Sequence, residues 1–244
     1  MSYGSVVENW QKMPITSVGE LDGALTDFKV AFAYNSSKIE NPRISYGELR
    51  EIFAKGKIAC FSGELKTLFE ELGHKSCYDA LAAHIVRREP LSTDLLRLIH
   101  YELTKTPYDE ARLLIYNEAP GEFRKCGGEN SYGAAPPPAS PESEMAELCE
   151  KMNGAQADDI LKAACYLHAA FLKARPFADA NGRVGRTLMN YYLMTHGHPP
   201  IIVHESDKRG YYKALDAFND TGSPDELCAF MRGQCEKTWT KPAI

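Results

Sequence analysis

Residues 175–186 read Arg-Pro-Phe-Ala-Asp-Ala-Asn-Gly-Arg-Val-Gly-Arg, with an apolar helical run on either side. Asn181-Gly182-Arg183 at the start of a helix makes a site for an anion. The first N–H groups of a helix lack internal partners, and the macrodipole adds partial positive charge there. Arg183 and Arg186, three residues apart, share a helix face and can fork around phosphate oxygens. Asp179 stands just before them, placed to hold a divalent cation against those phosphates. No residue of the segment is an obvious general base. Arg175 stands where one would be useful, and a guanidinium has no free lone pair. Taken alone, the spacing also fits a capped interhelical loop with exposed arginines.

Outward from this loop the pattern is helical. Residues 157–172 place Ile160, Ala164, Leu167 and Phe171 on one face, and residues 183–196 place Val184, Leu188, Tyr191 and Tyr192 similarly. Gly197 and Pro199-Pro200 stop the second run. Further helices are expected over 19–33, 46–54, 62–72, 77–87, 91–103, 207–219 and 224–237, with another starting near Ser143 after Pro136-Pro137-Pro138. Two segments read as strands. Arg112–Tyr116 is short and apolar, and Gly121–Cys126 can pair back across the Ala119-Pro120-Gly121 turn. The expected fold is all-α, with one small β-hairpin as a surface flap.

Composition narrows the class. The chain has 244 residues, a net charge of -5 and a hydrophobic content of 44%, ordinary for a globular protein. That charge argues against nucleic acid as a partner. No apolar run approaches a membrane span, and the N-terminus does not read as a signal peptide. Seven cysteines without CxxC spacing read as reduced thiols, so a cytoplasmic location is expected. His168 lies inside an apolar helix and reads as structural. His196, His198 and His204 lack the tight constellation of a metal site.

Residues 175–186 resemble the signature of the Fic (filamentation induced by cAMP) family, H-x-F-x-[D/E]-[G/A]-N-G-R-x-x-R. Phe177, Asp179, Ala180, Asn181, Gly182, Arg183 and Arg186 fit, and Pro176 matches the usual second residue. The first position departs, with Arg175 where the family has histidine. APGEFRK at 119–125, the Pro-rich 136–138 and RGYYKALD at 209–216 are similar to the family's other landmarks. Upstream, residues 35–41 read NSSKIEN, and Ser36, Glu40 and Asn41 fit the family's inhibitory pattern [S/T]-x-x-x-E-[G/N].

The resemblance implies transfer of AMP from ATP to a hydroxyl of a protein target, the chain itself included, by a helical bundle. It implies that Asn181, Gly182 and backbone N–H groups hold the α-phosphate, and that Asp179 ligates Mg²⁺. Arg183 and Arg186 are expected to meet the β- and γ-phosphates, with Phe177 as anchor. Glu40 is expected to pair with Arg186 and hold the γ-phosphate's place. Glu122, Phe123, Arg124 and Lys125 belong to the target-binding flap, which holds a segment by strand addition. Cys126 and Gly127-Gly128 depart from the family's apolar strand there. The implied division is an N-terminal helical region, 1–89, and a core with C-terminal helices, 90–244. Arg175 leaves three readings open: an engineered inactive variant, a natural nucleotide-binding or protein-interaction module, and an enzyme with different phosphate-containing chemistry.

Overall fold

The computed structural model describes residues 1–40, 46–55, 65–106, 119–125, 140–155 and 159–240. Among these lie eleven α-helices: α1 (Tyr3–Gln11), α2 (Val18–Ala24), α3 (Thr26–Glu40), α4 (Tyr46–Lys55), α5 (Leu65–Val86), α6 (Thr93–Thr104), α7 (Pro141–Gly154), α8 (Ile160–Ala174), α9 (Asn181–Thr195), α10 (Lys208–Thr221) and α11 (Asp225–Thr240). The all-α class expected from sequence is what the structure has. The first arm of the expected hairpin, 112–116, lies outside the described residues, as does Cys126. In the second arm, residues 121–125 are turn and irregular chain.

Helix starts follow local chemistry. Ser17 caps α2 in a capping box with Glu20, and Ser92, Ser140 and Asp159 cap α6, α7 and α8. Pro141 takes the first turn of α7, where its missing N–H costs nothing. Gly222 ends α10 in the left-handed region, φ 72°.

Two boundaries differ from the periodicity. The run 19–33 is broken at Leu25 into α2 and α3. Thr26 donates its hydroxyl to Asp22 O and Gly23 O, helping to secure the end of α2. Conversely, 62–72 and 77–87 belong to one helix, α5, which continues through Gly73. There α5 lies against α6: a Cβ on Gly73 would stand 2.8 Å from Leu103 O. Glycine is a poor helix former, and this close approach is what it permits.

The core centres on α8 and α9, both of which carry long buried faces. A Cβ on Gly185 would come within 3.1 Å of His168 Nδ1 and 3.2 Å of Phe171 Cδ1. One apolar cluster runs from Val6 and Trp10 of α1 through Phe32 and Leu81 to Phe171, Leu188 and Met231, on both sides of residue 89. Each such fully buried side chain contributes about 1.5–3 kcal/mol. No described helix is long and apolar enough to cross a membrane.

Candidate active site

The loop between α8 and α9 is held in an unusual path. Arg175 ends α8 in the left-handed region (φ 48°, ψ 60°), and Ala180 precedes α9 at φ 58°, ψ 11°. Non-glycine residues there cost about 1–3 kcal/mol each, so surrounding contacts must fix them. Asn181 closes the loop on itself: Nδ2 donates to Phe177 O at 2.7 Å, and Oδ1 accepts from Phe177 N at 3.1 Å. The Phe177 ring is buried, stacked on His100 at 4.0 Å and on Phe123 at 5.0 Å. Arg124 donates through Nε to Arg175 O at 2.7 Å, and its backbone N–H donates to Pro176 O at 2.9 Å. Burial pushes the His100 imidazole down to about 4, so it is neutral, and its Nδ1 accepts from Gly121 N at 2.8 Å.

The resemblance implies that residues 122–125 belong to a target flap. Two of them turn inward: Phe123 and Arg124 are buried against the motif loop. Glu122 and Lys125 face solvent and pair with each other at 2.9 Å.

The first turn of α9 opens into a cleft. No side chain caps this helix, because Ala180 occupies the N-cap position. The cleft, about 850 Å³, is lined by Arg175, Asp179, Asn181, Gly182, Arg186 and Glu40 on one side. Tyr212 and Leu215 of α10 line it on another. Asp179 is exposed, with Oδ1 accepting from Ala180 N at 2.6 Å.

Arg186 is the most constrained charge in the cleft, 2% exposed. Its Nε donates to Ser36 Oγ at 2.9 Å, and Nη2 donates to Ser36 O and to Glu40 Oε1, both at 2.9 Å. Burial opposes its charge, and the facing Glu40 carboxylate and Tyr211 hydroxyl outweigh it, leaving its pKa raised. The Glu40 carboxylate lies over the start of α9, where a Cβ on Gly182 would collide with Oε1. α3 is held in this pose by Lys208 Nζ donating to Ile39 O, and by Glu205 N donating to Asn35 Oδ1 at 3.0 Å. Asn41, the last residue of the upstream pattern, lies outside the described residues.

Arg183 is placed differently. It is buried beside the cleft, not among its lining residues, with Nη2 3.7 Å from Glu70 Oε1 of α5. Sequence reasoning missed this acidic neighbour, and nothing in the spacing of residues 70 and 183 points to it.

The histidines sit in structural settings. His168 is fully buried, its Nε2 2.7 Å from Tyr211 OH, and burial pushes it down to about 3. His198 Nδ1 meets Tyr3 OH at 2.7 Å, His204 meets Gln234, and His196 stacks on Tyr192.

Among the described residues no group of three or more His, Cys, Asp or Glu could hold a metal ion. The exposed carboxylate of Asp179, beside the uncapped start of α9, fits a cation that takes most of its ligands from phosphate oxygens and water. Mg²⁺ is typically bound this way.

The Fic/DOC family model matches residues 90–193. The chain is 25% identical over 194 residues to "Protein adenylyltransferase fic-1" of Caenorhabditis briggsae, covering 77% of this chain and 36% of that protein. It is 26% identical over 232 residues to "Protein adenylyltransferase Fic" of Culex quinquefasciatus, covering 92% of this chain and 44% of that one. It thus spans between about a third and a half of these relatives' lengths. The fold is similar to a Fic-domain-containing signaling protein from Bacteroides thetaiotaomicron, with TM-score 0.78, 21% identity and coverage of 98% and 94%. It is also similar to Fic-1 from C. elegans, with TM-score 0.77, 17% identity and coverage of 97% and 67%. The matched residues contain α8, α9 and the loop between them, so residues 90–193, with the motif loop at their centre, are the stretch that matches the Fic/DOC family.

Proposed function

We propose that the cleft is a nucleotide site for AMP transfer from ATP to a hydroxyl of a protein target. The observation that carries this reading is the start of α9. Uncapped N–H groups, Asn181, Gly182 and Arg186 converge there on one cleft. In this reading Asn181, Gly182 and the first backbone N–H groups hold the α-phosphate. Arg186 takes the γ-phosphate, and Arg183 takes the β-phosphate once drawn from its place beside Glu70. Asp179 would hold Mg²⁺, which supplies charge neutralisation of the phosphates when bound. Backbone main chain near Glu122 and Lys125 is where a target segment would dock. The names of the relatives, protein adenylyltransferases, support the reaction class.

Two features set the activity of this chain. Glu40 and Ser36 occupy Arg186 and leave no place for the γ-phosphate, so residues 1–89 act as an inhibitory region on the 90–244 core. Arg175 lines the cleft where the resemblance expects a base, and a guanidinium stays protonated. Loss of a general base costs about 10²–10⁴-fold. The cleft's arginine therefore also favours a second reading, a module that binds nucleotide or a partner without turnover.

Incorporation of label from α-³²P-ATP with Mg²⁺ tests this in the Glu40→Gly background, comparing Arg175 with Arg175→His. Label on protein only with histidine is the expected result. No label in either form would move the conclusion to the non-catalytic module.

A further inference from the structure

Beneath the cleft, α3, α5 and α9 meet at a seam of buried polar atoms. The Ser37 hydroxyl is within hydrogen-bonding reach of the Glu71 carboxyl, while His74 Nε2 and Arg183 Nη1 have no hydrogen-bond partner among the described residues. Glu71 is 2% exposed and His74 1%. Ser37 and Arg183 both act on the Glu71 carboxyl, and Arg183 and Arg186 both act on His74, so these groups form one cluster. A buried polar group without a partner costs about 1–3 kcal/mol, and more when charged. With His74 and Arg183 in that position, the seam is only partly satisfied as it stands. The ionic contact from Arg183 to Glu70 is loose, at 3.7 Å.

The cluster has a directional consequence. The Arg183 guanidinium faces α5 acids on one side, while the first turn of its own helix opens to the cleft on the other. We propose that Glu71 is a positioning residue for Arg183: with Glu70 it forms an acidic latch on α5 that draws this guanidinium away from the cleft, separately from the Glu40 latch on Arg186. The proposal rests on the reading of the cleft as a nucleotide site. It adds that phosphate must win Arg183 from α5, as it must win Arg186 from α3.

The latch is sensitive to protons. The groups facing Glu71 are Ser37 from α3, Glu70 and His74 from α5, and Arg183 from α9, with Arg186 acting on His74. Burial pushes the Glu71 carboxyl up to about 8 and holds His74 neutral, so Glu71 is the member that changes charge in mildly alkaline solution. Above that point an ionised Glu71 attracts Arg183 more strongly. Nucleotide affinity then falls as pH rises.

Calorimetric titration of Mg²⁺-ADP into the full chain tests this, at about pH 7.5 and about pH 9. Glu40→Gly is compared with Glu40→Gly/Glu71→Gln. Across that interval the first should lose affinity about fourfold, the fall expected when bound nucleotide raises a carboxyl titrating near 8 by one pKa unit, and the second less than about twofold. Equal losses in both overturn the proposal and leave the nucleotide site standing. Absence of binding in both at either pH overturns the nucleotide reading and this inference together. A merely structural role of Glu71 would move affinity equally at both pH values, which also overturns it. Should Glu71→Gln unfold by circular dichroism, Glu70→Gln replaces it. Tighter ADP binding at pH 9 than in the Glu40→Gly parent is then expected, and unchanged binding refutes the latch.

Discussion

Arg186 keeps a full positive charge with almost no water around it. Three hydrogen bonds that it donates to α3 make that possible, two of them to Ser36. Ser36→Ala removes the acceptor of Nε and leaves a buried N–H unmatched, at a cost of about 1–3 kcal/mol. The expected outcome is a lower melting temperature and, in an Arg175→His background, more self- or target-labelling than with Ser36. Labelling unchanged by the substitution would mean that Glu40 alone holds the arginine. Phe177 is the other residue on which the loop depends, since it is stacked on both His100 and Phe123. Phe177→Ala should destabilise the fold by about 3–5 kcal/mol in denaturant titrations. That Asp179, Asn181, Gly182 and Arg186 line one cleft was legible because the stretch is local, within about two turns of chain. The tie from Arg124 to Arg175 was not, since it joins residues 51 apart through a side chain and a backbone oxygen.

At the scale of elements, glycines divide into those that helices need and those they tolerate. Gly73 lies where α5 touches the backbone of α6, whereas Gly233 sits within α11 with open space where a methyl group would stand. Gly73→Ala should cost about 1–3 kcal/mol through overpacking, a fall of several degrees in melting temperature. Gly233→Ala should raise stability by up to about 1 kcal/mol from helix propensity alone. Thermal melts of the two variants with opposite signs would separate packing from propensity in one protein. The same contrast explains which helices could be read in advance. α8 and α9 announce themselves because their apolar residues recur on one face. The break between α2 and α3 does not, because Leu25 is neither glycine nor proline. The continuity of α5 is likewise hidden, because it depends on α6, a partner that sequence order does not reveal.

At the scale of the whole molecule, stability should carry the signature of Glu71. Its carboxyl is raised in the folded protein to about 8, above its ordinary value near 4.5. The folded state therefore binds a proton that the unfolded state releases, and this favours folding fully only below the unfolded pKa. As pH rises from about 4.5 to about 8, that contribution is progressively lost, and above the folded pKa the loss is complete. Glu71→Gln removes the dependence. The difference in melting temperature, variant minus parent, should grow through this interval and then level. A difference independent of pH would show that Glu71 is ionised in the fold throughout.

The two halves of the Glu40–Arg186 contact are 146 residues apart in the chain. Synthesis runs from the N-terminus at about 5–20 residues per second, so Arg186 leaves the ribosome roughly 7–30 seconds after Glu40. By then α3 and the helices it packs on, α4 and α5, have all been made, whereas the arginine's own helix has not. Under the proposed reading the guard is thus born before what it guards, yet the donors that hold it in place, Glu205 N and Lys208 Nζ, follow Arg186 in the chain, so the contact is complete only once α10 has begun to emerge.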